Sequence, residues 1–383
     1  MKTLTSYYEV LGVGPTAEPE TLRKAYRRLA QKHHPDVSED PRAHENMARI
    51  NEAFETLINA DRRQEYDAQM AGDQPAEEDV DRRPVRVKLL RRLSGHKTPI
   101  YAASYAPDSG ILVTGGFDNE LIWWDDTGMP IRRTRIDQGA VATLRAFSLD
   151  RIAGAGSAES QVWFFRLDED HLESFRTSTE EWVGTVAISP DGSRVATGSV
   201  HNTVSVIETD TNECLFRNAR HDGSIMSTAW SWDGRYLATG GADARVRIFD
   251  GRTGEEVRVL SRIRSAITAL AWSANGKFLA AAGVDLSIRV FDTETGDLVK
   301  MMFGHVKVVE QLAFHPNSWL FASASRDGTV GLWNAAKGIG NVRIEASTRP
   351  IQSVAFSFDG TRLAAAGQDK LVRIWEVSAR PEA

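Results

Sequence analysis

The chain has a single cysteine, Cys214, among 383 residues. That excludes an internal disulfide and any zinc site built on cysteine pairs. No stretch approaches the ~18 consecutive apolar residues of a membrane-crossing helix. The N-terminus (MKTLTSYYEV) lacks the apolar core of a secretion signal. Neither sign of charge dominates. With 46 basic and 52 acidic residues the net charge is −6, which argues against a general nucleic-acid binder or a polybasic membrane binder. Catalytic signatures are missing too: there is no GxxxxGK loop, no GxGxxG in a βαβ setting, no HExxH and no nucleophile elbow. Gly12-Val13-Gly14 and Gly154-Ala155-Gly156 read as turn glycines, and no metal ligands cluster. The expectation is a soluble, cytoplasmic, non-enzymatic protein without metal or cofactor, longer than one average domain.

Residues 1–68 carry helical periodicity. SYYEVLG, at 6–12, predicts a short helix ended by Gly12. Thr16 can cap the next helix, with Pro19 tolerated in its first turn. Over 21–32 the apolar Leu22, Ala25, Tyr26 and Leu29 share one face, and Arg23, Lys24, Arg27, Arg28 and Lys32 spread over the other. Pro35 disfavours the α region for His34, so this helix stops there. Asp40-Pro41 opens a further helix with Met47, Ile50, Ala53, Phe54 and Leu57 at helical spacing. The two stripes predict an antiparallel hairpin, with Tyr8 and Leu11 packed beside it. Asp61-Arg62-Arg63-Gln64 opens a last short helix. His34, Pro35 and Asp36 then form an exposed loop, stiffened by proline and offering a donor and a carboxylate, which is a contact device. A metal site at His33–His34 is disfavoured, because neighbouring side chains diverge and no third ligand lies nearby.

YYEVLGV, LRKAYRRLA, HPD, INEAFETL and RRQEYD follow one another in an order and spacing that resembles the J-domain of DnaJ-type co-chaperones. The resemblance covers about residues 6–68. It implies that the His34-Pro35-Asp36 loop is a trigger and that Arg23, Lys24, Arg27, Arg28 and Lys32 form a docking face. Together they would dock on a DnaK-type chaperone of the seventy-kilodalton heat-shock class and stimulate its ATP hydrolysis. Two positions depart from the pattern: Val37 stands where a basic residue is common, and His33 where an aromatic is usual. Either would retune affinity without removing the trigger. Residues 69–84 are polar and acidic at their centre and predict a flexible linker. The Gly/Phe-rich linker and CxxCxGxG repeats of the fuller DnaJ proteins are absent, so another part must select the target.

That part, residues 85–383, is periodic. A tight-turn position recurs at Asp118, Ala158, His201, Asp243, Asp285, Asp327 and Asp369, at spacings of 40, 43, 42, 42, 42 and 42. Each unit has alternating strands such as IQSVAFS, RLAAAG and LVRIWEV, separated by Gly, Asp or Asn turns, which predicts antiparallel sheet. The units resemble WD repeats, with Gly95-His96 and Gly304-His305 at their starts and Trp124-Asp125 closing a third strand. The resemblance implies a seven-bladed all-β propeller after the all-α J-domain. Repeats two and three are the most degenerate. The last repeat lacks an outer strand, which Val85–Arg92 is expected to supply.

His96, Thr114 and Asp118, and again His305, Ser323 and Asp327, are spaced like a nucleophile–base–acid set. Each set is followed six residues later by a tryptophan, Trp124 or Trp333. A catalytic set needs to occur once, whereas this one recurs at the repeat period. In WD repeats the matching residues form a buried hydrogen-bond tetrad within a blade. Repeat four keeps His221, Thr239 and Asp243 of it.

Alignment of the repeats puts Pro99, Trp182, Ser224, Ala266, Val308 and Pro350 ahead of the innermost strands. Just before the turn positions stand Phe117, Ser157, Val200, Ala242, Val284, Arg326 and Gln368. Phe117, Trp182 and Arg326 are the types that anchor protein interfaces, with packing between blades two and three as the alternative for Trp182. The expectation is a co-chaperone whose propeller recruits a protein client or complex, with no nucleic-acid or membrane partner. The alternative is a scaffold whose J-domain brings the chaperone to remodel its own complex.

Overall fold

The computed structural model describes residues 7–14, 17–33, 43–58 and 63, and, apart from short gaps, 85–378. The chain divides into two compact units, Met1–Arg82 and Arg83–Ala383. No helix among the described residues is long and apolar enough to cross a membrane.

The first unit contains α1 (Tyr7–Leu11), α2 (Pro19–His33) and α3 (Ala43–Ile58). α1 stops where Gly12 adopts a left-handed φ of 65°. α2 begins with proline at its first position, where no amide donor is needed, and the Glu18 carbonyl accepts its first bond from Leu22 at 3.1 Å. It runs to His33, two residues short of Pro35. The apolar stripes meet as their spacing predicts: Leu11, Leu22, Ala25, Ile50, Ala53 and Leu57 are buried in one cluster. Tyr26 stacks on Phe54 at 4.2 Å and donates its hydroxyl to Asn51 at 2.9 Å. Of the expected last helix only Arg63 is described. Its Nε donates to the Tyr8 hydroxyl at 3.1 Å. The expected helix start at Asp40-Pro41 and the 69–84 linker lie outside the described residues.

The second unit is a ring of seven four-stranded antiparallel sheets. Six blades are built from four consecutive strands, but the seventh takes its outer strand from the other end of the unit. Residues Arg86–Ser94 pair antiparallel with Leu371–Ser378, from Arg86 opposite Ser378 to Ser94 opposite Leu371, with a bulge between Leu89 and Arg91. The closing strand reaches two residues beyond the expected end at Arg92. Leu93 is drawn in because it packs with Ile100, Trp124, Val372 and Ile374, which sews blade seven to blade one.

Second strands such as Phe278–Gly283 and Arg362–Gly367 are rows of alanine that let neighbouring sheets approach. Each blade turns from its second to its third strand through one left-handed residue: Asn119, Glu159, Asn202, Ala244, Leu286, Gly328 or Lys370. The connections are mostly three or four residues long, and a single left-handed residue near the end of such a loop matches it to the twist of the strands. Even the degenerate repeats two and three make the turn, because the backbone path rather than the aspartate defines it. At Gly328 a side chain would also collide, since a Cβ would sit 2.1 Å from the Ser347 carbonyl oxygen.

Leu286, at φ 67°, is the residue least suited to its turn. Leu286→Asn is expected to stabilise the propeller by about 1 kcal/mol, read as a rise in denaturation midpoint at unchanged m-value. A fall in the midpoint would show that the leucine's contacts outweigh its backbone strain.

Candidate functional site

The repeated His/Thr/Asp/Trp sets close on themselves. In blade one His96 Nδ1 lies 3.1 Å from both Asp118 oxygens, and Nε2 lies 2.9 Å from Thr114 Oγ1. The Trp124 indole N–H donates to the same hydroxyl at 2.8 Å. Blade six repeats this: His305 to Asp327 at 3.0 Å, His305 to Ser323 at 2.6 Å, and Trp333 to Ser323 at 2.7 Å. Blade four has His221 to Asp243 at 3.0 Å and to Thr239 at 2.7 Å, with Phe249 in the tryptophan's place. One tautomer satisfies every group. The indole donates to the hydroxyl, the hydroxyl donates to Nε2, and Nδ1–H donates to the carboxylate. The aspartates also accept backbone amides, Lys97 at 2.9 Å and Val306 at 3.0 Å, which pins the incoming loop to the turn. The hydroxyl that would have to act as nucleophile is fully used within the network.

Burial holds His96 and His221 below the ordinary histidine value of 6.5, although Asp118 and Asp243 pull the other way. Burial pushes Asp118 and Asp243 up, but the histidines and the amides of Lys97 and Asp222 together bring both below 3.8. All four groups are therefore depressed in the folded state. Their stabilisation is full above the unfolded values and is lost as pH falls through the folded ones. The unfolding midpoint should stay level from pH 8 to 7, start to fall below about 6.5 as the histidines respond, and drop again below about 3.8. A midpoint that rises between pH 7 and 5 would refute a neutral-histidine network.

Two blades reach the same end without histidine, a solution that sequence reasoning missed. In blade five Arg289 reaches back four residues to Asp285 at 2.6 Å, and in blade seven Arg373 does the same to Asp369, also at 2.6 Å. Burial raises these aspartates, and the arginines with the neighbouring Ser287 and Ser347 lower them further. The available signal was an Asp-x-x-x-Arg spacing at these turns. Blade three uses a third device, Glu181, which accepts from Ser199 and, at 3.0 Å, from Thr203.

The two aligned series flank one another at one end of the ring. Backbone amides of Phe117, Val200, Ala242, Val284, Arg326 and Gln368 donate to the carbonyls of Pro99, Trp182, Ser224, Ala266, Val308 and Pro350 at 2.8–3.0 Å. This end is the turn face. Trp182 is 60% exposed, so it does not pack between blades two and three; Phe117 is 62% exposed, and its ring centroid lies 6.0 Å from that of Tyr101. Arg326 is exposed but its Nε is bonded to Glu310. The three candidates sit on blades one, three and six.

A depression of about 190 Å³ at the channel mouth is lined by Tyr101, Ala142, Glu310, Gln311 and Gln352. At the opposite end, loops of blades four and seven bring Trp232 and Phe358 together at 6.5 Å, with the Arg145 guanidinium 5.8 Å from the Trp232 ring.

In the helical unit Arg23, Lys24 and Arg28 are exposed along α2, with Lys24 loosely paired to Glu20 at 3.3 Å. The side chains of Arg27 and Lys32, and the whole of His34, Pro35 and Asp36, lie outside the described residues. Among the described residues no group of acidic, histidine or cysteine side chains is placed to hold a metal ion.

A closed ring of seven four-stranded sheets is a β-propeller. Segments 87–125, 170–208, 212–250, 254–292, 296–334 and 341–376 match the family described as WD domain, G-beta repeat, over more than half of the chain, and the protein belongs to that family. Between the first two matched segments, residues 126–169 supply the outer strand of blade one and three of the four strands of blade two. Residues 6–67 match the DnaJ domain. Among curated relatives, Chaperone protein DnaJ of Carboxydothermus hydrogenoformans is 53% identical over 62 residues, 16% of each chain. The protein of the same name from Mycoplasma capricolum is 51% identical over 61 residues, again 16% of each chain. Chaperone protein DnaJ 1 of Aquifex aeolicus is 48% identical over 67 residues, 18% of each chain. The chain thus spans about a sixth of the length of these relatives.

Proposed function

We propose that this protein is a J-domain co-chaperone. In this reading the His34-Pro35-Asp36 loop and the basic face of α2 dock on a DnaK-type chaperone in the cytoplasm and stimulate its ATP hydrolysis. The propeller recruits a protein client or complex to the same chaperone. The observation that carries the reading is the DnaJ-domain match over residues 6–67, which spans the loop and the basic helix together. Exposure of Arg23, Lys24 and Arg28 supports it, because a docking face must be open. The ATPase belongs to the chaperone, and this chain supplies position and charge. The test is single-turnover ATP hydrolysis by a purified DnaK-type chaperone with and without the full chain. No stimulation at saturating concentration would refute the reading.

A further inference from the structure

We propose that the sector of the turn face formed by blades six, seven and one binds an acidic segment of a protein partner, one apolar side chain of which enters the channel mouth. This rests on the reading of the propeller as a recruitment module and specifies the chemistry it recruits. Four exposed cations lie in the loops of this sector: Lys307 on blade six, Arg349 and Lys370 on blade seven, and Lys97 on blade one. None makes an ion pair or side-chain hydrogen bond with a described residue. Elsewhere on the face several charges are already matched, as in Arg245–Asp222 at 2.9 Å and Arg217–Glu180 at 2.8 Å. The concentration of unmatched cations runs against the net charge of −6 for the whole chain. Cations gathered in one sector of the face repel one another, and carboxylates opposite them relieve that repulsion and steer encounter.

The apolar part is adjacent. The exposed Phe117 ring sits beside Tyr101, and Tyr101 lines the depression with Gln352, whose amide suits a partner's backbone, and with Gln311, whose oxygen already accepts the Val354 amide at 2.7 Å. Trp232 and Phe358 meet at the far end of the channel, so a side chain enters from the turn face. A protein segment fits better than a nucleic acid, because the depression offers the Tyr101 ring, Ala142 and the Gln352 amide rather than a phosphate-binding set, and Glu310 at the mouth is already bonded to Arg326.

The experiment is fluorescence anisotropy on the full chain at low salt. The probes are a labelled peptide of glutamates around one phenylalanine, its lysine counterpart, and a single-stranded oligonucleotide. The glutamate peptide should bind, and raising the salt should weaken it. Charge reversal at Lys97, Lys307, Arg349 and Lys370 to Glu should reduce affinity by about tenfold or more at an unchanged unfolding midpoint. The milder four-fold change to Gln serves if the reversed variant does not fold. Phe117→Ala should reduce affinity separately. Equal binding of the two peptides, undiminished binding by the Gln variant, preference for the oligonucleotide, or no binding of the glutamate peptide would each overturn the proposal. Chaperone ATPase stimulation, measured on the same variants, should stay at wild-type level. Absence of stimulation by the unchanged chain would instead count against the co-chaperone reading.

Discussion

The full chain carrying Asp36→Asn is expected to leave the DnaK-type ATPase at its basal rate, with both units folded as before. The helical core closes through Leu11, Leu22, Ala25, Ile50, Ala53 and Leu57. A change from carboxylate to amide keeps size and shape but removes the charge that a cationic or hydrogen-bonding partner would read. His34→Gln should act alike, since it removes the imidazole from the same loop. Charge reversal at Arg23 and Arg28, exposed on α2, should weaken docking in a salt-dependent way rather than abolish the response. The readout is single-turnover hydrolysis across a concentration series, with circular dichroism to establish folding. Full stimulation by Asp36→Asn would remove the basis for treating the loop as a trigger.

The largest stability effect is expected from the closing strand. A chain starting at Pro84 keeps Arg86–Ser94 and should fold as a ring without the helical unit. A chain starting at Leu93 loses six of the eight paired positions opposite Leu371–Ser378 and leaves most of that strand as an open edge. Val87 and Leu90 no longer cover their neighbours in blade seven, and only Leu93 and Ser94 remain against its last strand. At roughly 1 kcal/mol per backbone hydrogen bond, plus the lost apolar burial, the deficit approaches the whole stability of an ordinary domain. The shorter chain should aggregate and show no cooperative melt, while the longer one elutes as a compact species. Equal melting of the two would mean that the ring closes by some other contact.

Each element that was legible in advance had a local cause. Seven blades could be counted because the alternation and turn of one unit lie within about forty residues, and the period survives even where Ala158 and His201 replace aspartate. The histidine networks could be anticipated because the same spacing recurs at the repeat period and the resemblance to WD repeats implies a buried tetrad there, in which hydroxyl, imidazole and carboxylate satisfy one another. Arg289 and Arg373 were harder to foresee. An arginine on a strand reads as solvated until the fold buries it beside an aspartate four residues away. Trp182 was ambiguous for the opposite reason: a large indole is equally at home in a core or on a surface, and only the packing of blades two and three shows that it is left outside.

By itself, then, the sequence determined the two-part organisation, the repeat number and the internal hydrogen-bonded sets, because these depend on contacts within a single helix pair or a single blade. Only the tertiary structure decided what happens between blades. Trp232 meets Phe358 across 126 positions of sequence, and Arg145 joins them from a third blade. Lys97 and Lys370 come into one sector because residues 86–94 pair with the last strand and bring the two ends of the propeller together. No local pattern encodes such neighbours. They follow from the ring geometry, which sets residues from all seven blades around one channel once the last hydrogen-bonded edge is closed.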